Sequence, residues 1–176
     1  KGAKSVPNPA DSEPLEDELP TKGIVFYTDN QLNLKIGHKV QDQLRKISEA
    51  TQIPIVSVSL KPMPHFGNKN IHLPLERSYL TMFKQILAGL EASTAGIIFF
   101  CEHDVIYHPS HFDFTPPRKK IYYYNTNVWK VRLTDGHGTH YDVQQTSGLC
   151  AYRKLLIRHY RERIRRIEAE WDSLPH

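Results

Sequence analysis

The chain has 176 residues, a formal net charge of +4, and 39% hydrophobic, 10% aromatic and 24% charged residues, a profile that suits one globular domain, with or without tails. No apolar run approaches the roughly 20 residues that span a bilayer, the first residues hold no apolar signal-type stretch, and Cys101 and Cys150 are too few for a disulfide framework. Membrane-spanning, disulfide-stapled and collagen-like classes are thereby excluded, and a reducing, cytoplasmic setting is expected. Residues 1–22 contain Pro7, Pro9, Pro14 and Pro20 and three lysines against five acids. They read as a flexible acidic leader, with a single domain expected over 23–176. Gly23–Thr28 (GIVFYT) is a short apolar run that ends in Asp29-Asn30, as a buried strand and its exit loop would. Ile36, Val40, Leu44 and Ile47 then recur at helical spacing.

Ile55–Leu60 follows as a strand in which Val56, Val58 and Leu60 alternate with serines. Residues 61–74 (KPMPHFGNKNIHLP), with three prolines and a glycine, read as a loop. A second helix is predicted over Leu75–Ala92, with Leu75, Tyr79, Met82, Ile86 and Leu90 on its apolar face. Gly96–Cys101 (GIIFFC) is the most hydrophobic strand and lacks alternation, as a parallel strand covered on both faces does. Beyond it, the aromatic segment Ile121–Leu133 is joined through Thr134–His137 to Thr139–Val143 as a hairpin. The last helix carries Leu156, Tyr160, Ile164, Ile167 and Trp171 on one face, and seven basic residues against four acids over 151–176. Strand-helix-strand-helix-strand, then hairpin and helix, predicts an α/β sandwich with a mostly parallel sheet.

Chemistry is expected where the third predicted strand runs into Glu102-His103-Asp104, because ligands of open parallel sheets bind beyond the carboxyl ends of the strands. Two carboxylates at i and i+2 suit one hard divalent cation, Mg²⁺ or Mn²⁺, directly or through water. Such an ion neutralises a diphosphate and stabilises a leaving group. A zinc reading of Cys101, His103, His108 and His111 is weaker, since a buried strand turns Cys101 into the core.

The segments GIVFYTDN, PHFGNKNI, IIFFCEHDVIYHPSHFDF, YYYNTNVWKV and SGLCAYRKLL, taken in order over roughly residues 23–165, resemble bacterial GT-A-type glycosyltransferases, with EHD in place of the family's DxD-type metal motif. The resemblance implies a GT-A-like (Rossmann-like) three-layer sandwich. It also implies a nucleotide-diphosphate sugar donor bound over the strand ends with Mn²⁺ or Mg²⁺. Carried over by position, Thr28 and Asp29 would hold the nucleobase or ribose, and Lys69 and Arg77 would face the diphosphate. Asp104 would coordinate the metal directly, while Glu102 would bind it through water or hold the ribose.

On the acceptor side, an inverting transfer needs a carboxylate or imidazole to take a proton. Asp135, His137, His140 and Asp142 cluster in the hairpin, and His140 and Asp142 share one strand face. They are the catalytic candidates, and either could complete the metal's ligand set. Tyr122–Tyr124 and Trp129 could stack on a sugar or base, or be plain sheet residues. Two other readings stand beside the enzyme: a nucleic-acid-binding or DNA-modifying accessory protein that uses the arginine-rich last helix, and a catalytically silent GT-A-like scaffold. The donor sugar and the acceptor are not encoded in any motif.

Overall fold

A computed structural model describes the backbone of residues 20–172. The leader expected over 1–22 therefore lies outside the described residues, except for its last three, and these belong to the domain. Thr21 accepts the backbone amides of Gly96 and Ile97 at 2.9 Å, and the first strand, β1, is Lys22–Thr28. Thr21 thus caps the start of a neighbouring strand, and Lys22 opens β1. In chain order there follow α1 (Leu34–Thr51), β2 (Ile55–Ser59), β3 (Lys69–His72), α2 (Tyr79–Ala92) and β4 (Ile97–Glu102). After these come β5 (Tyr123–Tyr124), β6 (Asn127–Val131), β7 (Gly138–Asp142), β8 (Leu149–Tyr152) and α3 (Arg153–Asp172).

Six strands form one sheet in the order β3-β2-β1-β4-β8-β5, the first four parallel and β8 antiparallel to β4. Strand side chains alternate between sheet faces, so β1 and β4, apolar at nearly every position, must be covered twice. Ile24, Phe26, Ile97, Phe99 and Cys101 pack with Val40, Leu44 and Ile47 of α1 on one face. Val25, Tyr27, Ile98 and Phe100 pack with Phe83, Ile86 and Leu90 of α2 and Leu156, Tyr160 and Ile164 of α3 on the other. The result is a three-layer α/β sandwich with a mostly parallel sheet and a long C-terminal helix. At Gly89, α2 comes so close to the sheet that a methyl group would sit 2.6 Å from Val25 Cγ1, and only glycine permits that approach.

Several expected details are corrected. β3 lies inside the predicted loop, as a four-residue edge strand pairing Val56–Ser59 with Lys69–His72. Its signal was hidden because none of the four residues of so short an edge strand is fully buried. Ser57 and Ser59 of β2 are buried, and Ser57 is satisfied by donating to Phe66 O at 2.6 Å and accepting from Asn70 Nδ2 at 2.8 Å. α2 starts at Tyr79, behind the cap Ser78, whose hydroxyl accepts the Thr81 amide. Leu75 and Tyr79 are exposed, while Ile86 and Leu90 are buried as expected and are joined by Thr81, Phe83 and Gln85. Ile121–Leu133 divides in two: Tyr123–Tyr124 closes the large sheet against β8, while β6 and β7 form a separate antiparallel pair. The α3 stripe buries Leu156, Tyr160 and Ile164 as expected, with Ile167 packed against it. The side chain of Trp171 lies outside the described residues.

Candidate active site

The exit loops of β1 and β2 are tied together by Asn30. Its backbone adopts a left-handed turn at φ 59°, its amide donates to Thr28 Oγ1, and its side-chain carbonyl accepts the Lys61 amide at 2.9 Å. Buried Gln85 of α2 donates to the carbonyls of Thr28 and Val58 and so fixes the helix to both strand ends. These contacts leave a cleft of about 420 Å³ at the carboxyl ends of β1, β2 and β4, with the N-terminus of α2 as one wall.

In this cleft Asp29, Arg77, Glu102, His103 and Asp104 converge. Arg77 Nε lies 2.7 Å from Asp29 Oδ2, and His103 Nδ1 lies 2.7 Å from Thr28 Oγ1 and 3.7 Å from Asp29 Oδ1. Tyr27 and Glu102 are paired across β1 and β4, so their side chains share a face, and the tyrosine hydroxyl donates to the Glu102 carboxylate. Burial raises the Glu102 carboxyl above the ordinary carboxylate range, and the Tyr27 bond opposes that rise. Behind the site, the Glu102 amide donates to Tyr107 Oη and Tyr107 donates to Ser147 O, each at 3.0 Å. The end of β4 is thereby pinned to the chain entering β8.

The donor set can be tested against a metal. No group of three or more His, Cys, Asp or Glu side chains able to hold an ion occurs among the described residues, which sets aside the zinc reading for those residues. One oxygen of Glu102 is taken by Tyr27, and Asp104 is exposed on the turn beyond β4. One or two carboxylates suit Mg²⁺ or Mn²⁺ when substrate phosphates and water complete the shell. The pair therefore fits a cation brought in with a diphosphate, and does not form a cage by itself.

Thr28, Asp29, Arg77, Glu102 and Asp104, named from sequence, are thus brought to one cleft. Lys69 is not, and its expected place is corrected: it pairs with Val56 near the start of β2, at the end of the sheet opposite the cleft. His140 and Asp142 are exposed on β7 and line no part of the cleft. Their hairpin nevertheless springs from its edge. β8 runs antiparallel to β4, Asn125 N donates to Gly148 O, and Ser147 meets Tyr107, so both stems of the hairpin lie at the carboxyl end of β4. Sequence reasoning missed the cleft roles of Tyr27, Tyr79 and Gln85. A glutamine on the buried face of an otherwise apolar helix was the available signal, since it needs a polar partner inside.

No family model matches the chain, and no curated protein matches it in sequence. Among solved structures it is similar to a glycosyltransferase involved in the glycosylation of the major capsid of PBCV-1, at 13% identity and a TM-score of 0.54, over 89% of this chain and 71% of that one. At that identity the shared feature is the fold. Among the described residues no helix is long and apolar enough to cross a membrane.

Proposed function

We propose that the protein is a glycosyltransferase that uses a nucleotide-diphosphate sugar together with Mn²⁺ or Mg²⁺. The observation that carries this reading is the cleft itself. In a fold shared with a solved glycosyltransferase, an Asp29–Arg77 pair faces the carboxylates Glu102 and Asp104 across the strand ends, beside the N-terminus of α2. A helix N-terminus favours an anion, and arginine forks two phosphate oxygens. Arg77 and α2 would then receive the diphosphate, leaving Asp29 and Thr28 to accept and donate hydrogen bonds to the ribose or base. Tyr79, 82% exposed at the cleft mouth, offers a ring on which a flat group can stack. Asp104, assisted by Glu102, would hold the cation, whose chemistry when bound is to neutralise the departing diphosphate.

On the acceptor side the proposal keeps His140 and Asp142 as candidates for the proton acceptor. Asp142 stands opposite Asn127 at the base of the hairpin, and His140 packs against Trp129 at 5.2 Å. A base must reach the acceptor hydroxyl in the complex, so the hairpin would have to close over the donor.

The test is a melting-temperature screen of nucleoside diphosphates and nucleotide sugars with and without Mn²⁺, followed by donor turnover. A ligand at 100 times its dissociation constant stabilises by about 2.7 kcal/mol, a shift of several degrees. Asp104→Asn should keep the unliganded melting temperature, lose the Mn²⁺-dependent increment, and show most of its loss of activity in turnover rather than in donor affinity. Full activity with an unchanged metal increment would show Asp104 to be a plain turn residue and defeat the mechanism.

A further inference from the structure

A second concavity, of about 460 Å³, lies between α3 and the segment leading into β5, lined by Tyr122, Arg158, His159, Glu162, Arg163 and Arg166. Its charge is unbalanced. Elsewhere on α3 the arginines are matched: Arg153 donates to the carbonyls of Ala95 and Leu90, Arg161 pairs with Glu91 at 2.7 Å, and Arg165 forks Glu162. Arg166 also leans on Glu162, at 2.7 Å. Arg158 and Arg163, by contrast, have no carboxylate within ion-pair distance among the described residues. Three guanidinium groups therefore face one carboxylate that is already shared.

Much of the lining, Arg158 aside, is also held in place before any ligand arrives. The Arg163 guanidinium lies 4.3 Å over the Phe83 ring, Glu162 anchors Arg166, and the Tyr122 ring stands edge-on to His159 at 5.5 Å. Donors fixed in advance cost less ordering on binding. An uncompensated arginine pair beside a tyrosine hydroxyl matches a doubly charged oxyanion, which offers several acceptor oxygens to the guanidinium forks. The volume exceeds that of a bare ion and leaves room along the Tyr122 ring. We propose that this cleft binds the phosphate group of a small organic phosphate, at a site separate from the donor cleft. A continuous nucleic-acid track fits less well, because Glu91 and Glu162 neutralise the rest of the helix face and would repel a phosphate backbone.

The full chain is titrated with inorganic phosphate, phenyl phosphate and a single-stranded oligonucleotide, at ionic strength matched with chloride. The aromatic NMR signals of Tyr122 and His159 are followed. Both phosphates should shift these signals saturably, phenyl phosphate at least as tightly as inorganic phosphate. Arg158→Gln, an exposed change that touches no core residue, should weaken both by about tenfold or more, as loss of a charge-assisted hydrogen bond does. Arg77→Gln, in the donor cleft, should leave them unaltered. The proposal is overturned by signals that do not move, by affinity that survives Arg158→Gln, or by loss only in Arg77→Gln. Exclusion of phenyl phosphate, or a response to the oligonucleotide alone with steep salt dependence, would overturn it equally. Failure here leaves the donor-cleft reading untouched, since that reading predicts metal-dependent binding at Asp104.

Discussion

His111 carries an internal cost that shows how one side chain sets a pH response. It packs among Phe99, Tyr107 and Phe112, its Nδ1 lies 3.0 Å from Asn125 Nδ2, and its Nε2 is buried with no hydrogen-bond partner among the described residues. Burial lowers its pKa from 6.5 to about 4. The fold therefore binds this proton less readily than the unfolded chain does. The His111 contribution is fully present above about pH 6.5 and is lost as pH falls towards 4, by at most about 3 kcal/mol. His111→Phe keeps the ring contacts and removes the titration. Urea unfolding at pH 7 and pH 4.5 should show a smaller acid loss in the variant than in the parent, with parent-like stability at pH 7. An equal loss in both would place the acid sensitivity elsewhere. From sequence the same histidine read as one of a zinc-like trio, because spacing does not report that aromatic rings surround it.

At the scale of elements, the hairpin β6–β7 and the helix α3 behave as opposites. No residue between Thr126 and Gln144 belongs to either core cluster, and Trp129, Val131 and Leu133 are exposed. A two-stranded hairpin is at best marginally stable alone, and this one adds no residue to either core cluster. Replacing residues 127–142 by a short Gly/Ser linker should therefore lower the melting temperature by only a few degrees and spare nucleotide-dependent stabilisation. Glycosyl transfer to acceptor should be abolished, while slow donor hydrolysis persists. Transfer at the parental rate would remove His140 and Asp142 from the mechanism. α3, by contrast, is part of the core. Ile164 is buried among the cluster that joins Phe100, Phe83 and Tyr160. Ile164→Asp should cost about 3 kcal/mol or more by burying an unpaired charge, whereas Arg165→Ala removes only a solvent-screened, exposed pair with Glu162 and should change stability little. Two variants equally stable to denaturant would mean that the helix is not docked in solution.

For the whole molecule, the domain edge is set by pairing. Thr21 receives two amides from the start of β4, and Lys22 Nζ donates to the carbonyls of Phe112 and Asp113 at 2.8 and 2.9 Å. Removing residues 1–19 should leave the melting temperature nearly unaltered, whereas removal through Lys22 should lower it by many degrees. A large drop on the shorter truncation would show that the leader contributes packing that its composition does not suggest.

How much was legible divides along the same physical line. Local chain chemistry determined the doubly covered strands GIVFYT and GIIFFC, the α1 stripe, the hairpin turn and the acids that follow β4, because each is written in adjacent residues and a short period. That was enough for the α/β class and for Thr28, Asp29, Glu102 and Asp104 at strand ends. Only the tertiary structure decided what depends on pairing between distant segments. It showed β3 as an edge strand inside an apparent loop, β8 between β4 and β5, and Lys69 at the wrong end of its strand. It also left Leu75 and Tyr79 exposed, because the cap at Ser78 starts α2 later, with Leu75 outside the helix and Tyr79 at its first position. The Tyr27–Glu102 bond belongs to the same kind, since it arises from a register between β1 and β4 that are far apart in the chain. Registers, caps and cleft walls depend on which long-range contacts form, and no local period encodes them.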